Sequence, residues 1–304
     1  MGGANYEGFP TLAFHGGPGA GFSIKDRRRF DPTRRTVMFD QRSCGRSRPL
    51  KSLKNNTTQN LIEDAAAILN KLKIYEAVLE GGSWGSTLAL LFAIAHPERT
   101  AGICLRGVFL GERGEINYSE TGLIAQHFPQ AWQRFVSPLD LQDKTNPLAG
   151  YYRGLIGNAE KSTSYQKKRL IYEWARFEDA HLSLTIKDDK TFDREYAKEK
   201  PETLEAVSTL EIHYLYNNCF IENGFILKNI SRIPLHIPIS IIHGRYDVIC
   251  PPRSAYRLYQ ALQKHNVKLC WTQAGHSKKD PENQSLMLSE MDRIYQEIKH
   301  KRAR

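Results

Sequence analysis

Short apolar runs separated by glycine-rich turns alternate with amphipathic stretches through the first third of the chain. Thr11–Phe14 and Thr36–Phe39 read as strands, the first running into a glycine-rich loop. From Asn60 to Leu72 the residues Leu61, Ala65, Ile68, Leu69 and Leu72 recur on one face, a helical period. Ala77–Leu79 reads as a strand, Gly81–Gly85 as a tight turn, Ser86–Ala95 as an apolar helix stopped by His96-Pro97, and Ile103–Leu105 as a further strand. Buried apolar strands alternating with helices predict a parallel sheet covered by helices.

The pattern changes at about residue 111. Up to about residue 233 the chain is rich in aromatic residues, Lys, Glu and Gln, with helical periodicity and few strand signals. After Pro234 the first pattern returns: Ile239–Ile242 and Val267–Trp271 as strands, Ser254–Lys264 as a helix, and a closing helix from about Gln284. The expected organisation is an α/β core made of residues 1–110 and 234–304, interrupted by a helical cap at 111–233, a size usual for a domain.

Composition changes this picture little. At 304 residues and 40% hydrophobic, the chain can bury a substantial core. The net charge is +10, but its densest runs (Arg27–Arg29, Arg34-Arg35 and the tail from Lys299 to Arg304) are separate and accompany no nucleic-acid motif, so neither nucleic acid nor a membrane surface is expected as a partner. Five cysteines, Cys44, Cys104, Cys219, Cys250 and Cys270, form no C-x-x-C pair and fit a reducing compartment. Met1–Tyr6 does not read as a signal peptide, Tyr6 breaks a myristoylation pattern, and the longest apolar run, Leu88–Ala95, is too short to span a bilayer. A soluble cytoplasmic protein is the expectation.

Four segments carry chemistry. Gly81-Gly82-Ser83-Trp84-Gly85 is a G-x-S-x-G between a strand and a helix, the form needed to hold a serine hydroxyl above a sheet at a helix N-terminus, where the Trp84 amide can meet a developing oxyanion. Alone it is also a plain glycine-rich turn. His15-Gly16-Gly17-Pro18-Gly19 follows an early strand, where this arrangement draws its second oxyanion donor, here the Gly17 amide. Asp247, in Gly244–Asp247, and His276, after Gly275, each follow a strand. The chain order Ser83, Asp247, His276 is that of an α/β-hydrolase triad, with Ser83 as nucleophile, His276 as base and Asp247 fixing its tautomer. No phosphate loop, dinucleotide fingerprint or metal-ligand spacing appears, so no metal and no cofactor is expected.

With these residues in hand, the sequence resembles the proline iminopeptidase (prolyl aminopeptidase) family of serine peptidases with the α/β-hydrolase fold. The resemblance runs from about Phe9 to the last helix and rests on HGGPG at 15–19, FDQRSCGRSRP at 39–49, NNTT at 55–58, GGSWGSTLAL at 81–90, HPER at 96–99, HGRYDVICP at 243–251 and AGHS at 274–277. It implies release of N-terminal proline from peptides, no cofactor, and a helical cap. It also implies two cap glutamates for the imino nitrogen: Glu178, in a segment with Trp174 and Phe177, and Glu211, followed by Ile212-His213-Tyr214. Glu178, Glu211, Trp174 and Phe177 are thus the expected substrate-binding residues. Two departures stand out. The chain begins almost at HGGPG, so the sheet is expected to lack the family's first edge strands. Ser43 also replaces a glycine and would be strained if that position needs φ > 0. Two alternatives stay open at this point: another esterase or amidase of the same fold, and a shortened, inactive homologue.

Overall fold

The computed structural model describes residues 9–302 except 121, 183 and 186; the segment Met1–Tyr6 and the last two residues of the basic tail lie outside them. Six strands, β1 (Thr11–Phe14), β2 (Thr36–Met38), β3 (Ala77–Ser83), β4 (Thr100–Val108), β5 (Ile239–Gly244) and β6 (Val267–Thr272), form one sheet in the order β2-β1-β3-β4-β5-β6. Every pairing is parallel. Among the described residues no strand lies outside β2.

Helices α1 (Thr58–Lys71) and α2 (Trp84–Ala95) flank β3 in sequence. Between β4 and β5 the described residues form only helices and turns: α3 (Arg113–Glu120), α4 (Pro129–Val136), α5 (Pro147–Tyr152), α6 (Ser164–Leu182), α7 (Asp189–Tyr196), α8 (Pro201–Tyr216) and α9 (Phe225–Asn229). Then come α10 (Pro252–Ala261) and α11 (Pro281–Arg302).

Alternation along the strands sorts the two faces. Leu12, Leu79, Ile103, Leu105, Ile239 and Ile241 pack with Leu61, Ala65 and Leu69 of α1, Leu88 and Phe92 of α2, and Leu258 of α10. Val78, Cys104 and Ile242 point the other way, onto Met287, Met291, Ile294 and Ile298 of α11. Each such side chain, fully buried, stabilises the fold by roughly 1.5–3 kcal/mol. Every residue from Trp84 to Ile94 is buried, which is why α2 lacks a polar stripe. The N-cap Thr57 starts α1 by accepting from the Asn60 amide.

The ends of β3 and β4 differ from the sequence reading for a pairing reason. β3 runs on through Glu80, Gly81 and Gly82, which pair with Cys104, Leu105 and Arg106, so the expected five-residue turn shrinks to the single residue Ser83. β4 reaches from Thr100 to Val108 because the same ladder carries Gly102, Arg106 and Val108 and steps over Gly107, so that residues which interrupt an apolar run do not end the strand.

Ser43 has φ 67° and is buried. A non-glycine residue in this region costs about 1–2 kcal/mol, while glycine gives back up to about 1 kcal/mol through the flexibility of the unfolded chain. Ser43→Gly is therefore expected to stabilise the protein by about 0.5–1 kcal/mol. Thermal unfolding of the two proteins side by side checks this; a midpoint that fails to rise contradicts it.

Candidate active site

The serine stands at the β3–α2 junction with φ 58° and ψ −129°, outside the regions most residues occupy. The glycines around it are required. A Cβ on Gly81 would lie 2.1 Å from the Gly85 carbonyl oxygen, and one on Gly85 would lie 2.2 Å from that of Phe14. Asp247 sits in the loop after β5 and His276 in the loop after β6. His276 Nδ1 lies 2.8 Å from Asp247 Oδ2. Asp247 Oδ1 accepts from the amides of Ile249 (3.0 Å) and Cys250 (2.8 Å). Burial alone would raise the Asp247 carboxyl, but the His276 ring, His243 and the Cys250 amide hold it below the usual carboxylate range. An ionised Asp247 fixes the proton on Nδ1 and leaves Nε2 as an acceptor. Both residues close on Gly107, at φ 52°, where an added Cβ would stand 3.1 Å from His276 Cε1 and 3.3 Å from Asp247 Oδ2.

The loop after β1 lies against the serine. A Cβ on Gly16 would be 3.4 Å from Ser83 Cβ and 4.0 Å from its Oγ, so the Gly16–Gly17 peptide runs beside the hydroxyl. Gly17 has φ 108°, a conformation open to glycine. Trp84 is the first residue of α2, where a helix amide has no partner within the helix. One side chain ties the two together: Gln41 donates from Nε2 to the His15 carbonyl (2.9 Å) and accepts from Trp84 Nε1 (3.1 Å). His15 Nε2 accepts from the Gln41 amide (2.9 Å), and its Nδ1 lies 2.8 Å from the Gly16 carbonyl and 3.2 Å from the Gly21 amide. Burial holds this imidazole neutral, lowered to about 4.

The predicted cap residues lie on two helices, Trp174, Phe177 and Glu178 on α6 and Glu211 on α8. Glu178 and Glu211 share a hydrogen bond between their carboxyls, and Trp174 Nε1 donates to Glu211 Oε2 at 2.8 Å. Burial pushes Glu178 up to about 7, so near neutrality it carries the shared proton. Trp174 and Phe177 are themselves buried in an aromatic cluster, Phe177 stacked on Phe135 at 4.2 Å and Trp174 edge-on to Tyr151 at 5.2 Å. α8 rests on the core on both sides of Glu211: a Cβ on Gly19 would touch Leu210 at 3.0 Å, and the Tyr214 ring packs on Trp84 at 5.0 Å. His181, one turn beyond Glu178, is buried and close enough to feel the charges of His276 and Asp247; burial holds it down at about 3. His181 of α6 thus lies within electrostatic reach of His276 and Asp247.

The model of the α/β-hydrolase fold matches residues 12–276. A proline iminopeptidase of Neisseria meningitidis is 37% identical over 280 residues, covering 91% of this chain and 86% of its own. One from Arabidopsis thaliana is 34% identical over 278 residues, covering 90% of this chain and 70% of its own. The chain belongs to the proline iminopeptidase family. Solved structures more distant in sequence share the fold: an esterase from Exiguobacterium antarcticum (TM-score 0.60, 15% identity, covering 94% of this chain and 92% of that one) and a proline iminopeptidase from Mycobacterium smegmatis (TM-score 0.56, 16% identity, covering 96% and 91%).

Sequence reasoning missed several residues of this iminopeptidase-family site. Gln41 and Asn56 lie inside the quoted motifs, but nothing in a motif says what a side chain meets. Asn56 Oδ1 accepts from Tyr214 OH (2.7 Å) and its carbonyl meets His213 Nε2 (2.9 Å), anchoring α8 to the core. Thr58 and Gln59 donate to the carbonyls of Cys219 and Phe220, and Asn218, Cys219 and Phe220 all have positive φ. Arg106 and Gly107 carried no signal beyond interrupting an apolar strand.

Three of these groups set a pH dependence of stability. His15 and His181 bind protons at about 4 and 3 in the folded state against a reference of 6.5, so their contribution is full above 6.5 and is lost as pH falls through that window. Glu178, raised to about 7, works the opposite way and gains stability as pH falls toward 4.5. Two lowered imidazoles against one raised carboxyl make these three groups together a net source of lost stability as pH falls from 6.5 to 4.5. Denaturant unfolding at pH 6.5, 5.5 and 4.5 is expected to show a fall in stability whose slope is steeper in Glu178→Gln and shallower in His181→Leu. An unchanged slope in both variants would contradict the burial of these charges.

Proposed function

We propose that the chain is a serine peptidase that releases N-terminal proline from peptides, acting in the cytoplasm, with residues 111–233 as a cap over an α/β-hydrolase core. The observation that carries this reading is the pair of hydrogen-bonded carboxyls, Glu178 and Glu211, in a chain whose core also pairs His276 with Asp247. An ester or internal amide brings no positive charge to such a pair. A prolyl N-terminus brings a secondary ammonium with two N–H donors, matching two acceptors in a partly closed pocket. Its arrival displaces the shared proton and leaves both carboxylates ionised.

With the ammonium so held, the scissile carbonyl is presented to Ser83. His276 Nε2 takes the hydroxyl proton as Oγ attacks, and Asp247 stabilises the imidazolium. The amides of Gly17 and Trp84 receive the oxyanion, held in register by Gln41. His276 then protonates the leaving amine, and water, activated by the same base, releases proline from the acyl-enzyme. Trp174 and Phe177 support the carboxylate pair, Trp174 by its bond to Glu211.

Ser83→Ala is expected to lower kcat by on the order of 10⁶-fold while leaving the fold intact; a variant that keeps a few per cent of the activity contradicts the assignment. Recognition is tested separately. A charge-assisted bond to an ammonium is worth roughly 1.5–3 kcal/mol, so Glu178→Gln and Glu211→Gln should each lose roughly ten- to a hundred-fold in kcat/KM on a proline anilide and far less on a short acyl ester. The parent should leave the N-acetylated anilide uncleaved, and its KM for the free anilide should rise below pH 7 as Glu178 keeps its proton. Equal cleavage of acetylated and free anilide would replace the peptidase reading with a general esterase or amidase.

A further inference from the structure

A fully buried arginine lies directly under the catalytic constellation. Arg106 of β4 is paired in register with Gly82 of the elbow and is 7% exposed. Its Nη1 donates to the backbone carbonyl of His276. The guanidinium lies across the elbow strand in a notch that only a glycine leaves open: a Cβ on Gly82 would come within 2.5 Å of Nη2 and 3.0 Å of Cζ. The next residue, Gly107, is the one whose bare Cα lets the His276 ring and the Asp247 carboxylate close on β4. Side by side on one strand, Gly107 makes room for the ring while Arg106 grips the backbone that carries it.

The surroundings fit a restraint on that loop. Glu80, two residues before Gly82, is 2% exposed; its Oε1 stands 3.3 Å from Arg29 Nη1, its Oε2 has no hydrogen-bond partner among the described residues, and its charge acts on Arg106. Arg29 also pairs with Asp26, and Asp26 with Lys278, two residues beyond His276. The loop is therefore held at the His276 carbonyl from below and at Lys278 from the side. Burying a guanidinium is unfavourable unless every donor has a use, and an apolar side chain would fill the same space at less expense.

We infer that Arg106 is a positioning residue for the hydrolytic reaction: through its bond to the His276 carbonyl it sets the distance and angle of the imidazole relative to Ser83. The inference rests on the Ser83–His276–Asp247 assignment made above, but not on proline as the substrate. A base displaced by a fraction of an ångström loses transition-state geometry without losing substrate affinity.

The test compares Arg106→Gln, Arg106→Lys and, as a control that leaves the bond to His276 in place, Glu80→Gln. Two rates are read, kcat and KM on a proline anilide and the rate of fluorophosphonate labelling of Ser83, which needs the triad and no proline. In Arg106→Gln, kcat and the labelling rate are expected to fall together by about thirty-fold or more, with KM within about threefold of the parent. Arg106→Lys, which keeps the charge and one donor, should recover part of both, and Glu80→Gln should stay within about threefold of the parent. A cooperative unfolding transition in each variant separates these effects from loss of fold, and Arg106→Lys decides the matter if the Gln variant does not fold. A folded Arg106→Lys or Arg106→Gln that labels and turns over at the parent's rate overturns the inference, as does a defect confined to KM. A parent that labels normally but ignores proline anilides would overturn the peptidase reading and leave this one standing.

Discussion

The backbone at Ser83 is held at φ 58° and ψ −129°, and the arrangement around it is a response to that one strained residue. Such a conformation costs on the order of 1–3 kcal/mol and persists only where its neighbours over-determine it. Here they do so from three sides. β3 pairs with β1 and β4 right up to the turn, α2 leaves it as a helix buried along nearly its whole length, and Ser86 Oγ donates to the Ser83 carbonyl at 2.6 Å. The close approach that strain demands leaves no room for side chains at Gly81 or Gly85. The same crowding brings β1, with its glycine loop, and β4, with Arg106 and Gly107, within reach of the hydroxyl.

What could be read in the sequence follows from this. Ser83, Asp247 and His276 stand out as candidates because the proposed chemistry demands each residue type at a place the backbone advertises, a glycine-flanked turn or the end of an apolar strand. The parallel sheet was legible because buried strands alternate with helices. The ends of β3 and β4 were not, since Glu80, Gly82 and Arg106 look like breaks in a strand until the ladder that joins Glu80 to Cys104 and Gly82 to Arg106 is seen. Gln41, Asn56 and Arg106 share one difficulty: their hydrogen bonds go to groups far along the chain, to Trp84, Tyr214 and His276, and no local period encodes such a contact. Glu178 and Glu211 were found through resemblance alone. As isolated acidic residues on helices they would pass for solvated faces, and only their pairing beneath the helices distinguishes them.

The two glutamates are not held in the same way. Glu211 belongs to α8, whose far end is fastened to the core by Asn56, with the turn that follows it held by Thr58 and Gln59, and whose sides rest on Gly19 and Trp84. Glu178 belongs to α6, which packs among the aromatic residues of the insertion itself, Phe135, Trp132 and Phe128. One carboxylate is therefore referenced to the catalytic core and the other to the insertion, so any shift of the helices changes the spacing between the pair before it changes the triad.

The proposed nucleophile precedes the helices between β4 and β5 and its proposed base follows them, with the His276 loop joined to β4 by a contact between residues 170 positions apart. A ribosome adding about 5–20 residues per second exposes the serine some ten seconds or more before the histidine is made. During that interval the growing chain has an elbow with nothing to ionise it. On that assignment hydrolytic competence arrives only once the segment carrying His276 has been made, and a protein able to trim the ends of other chains stays inert until then.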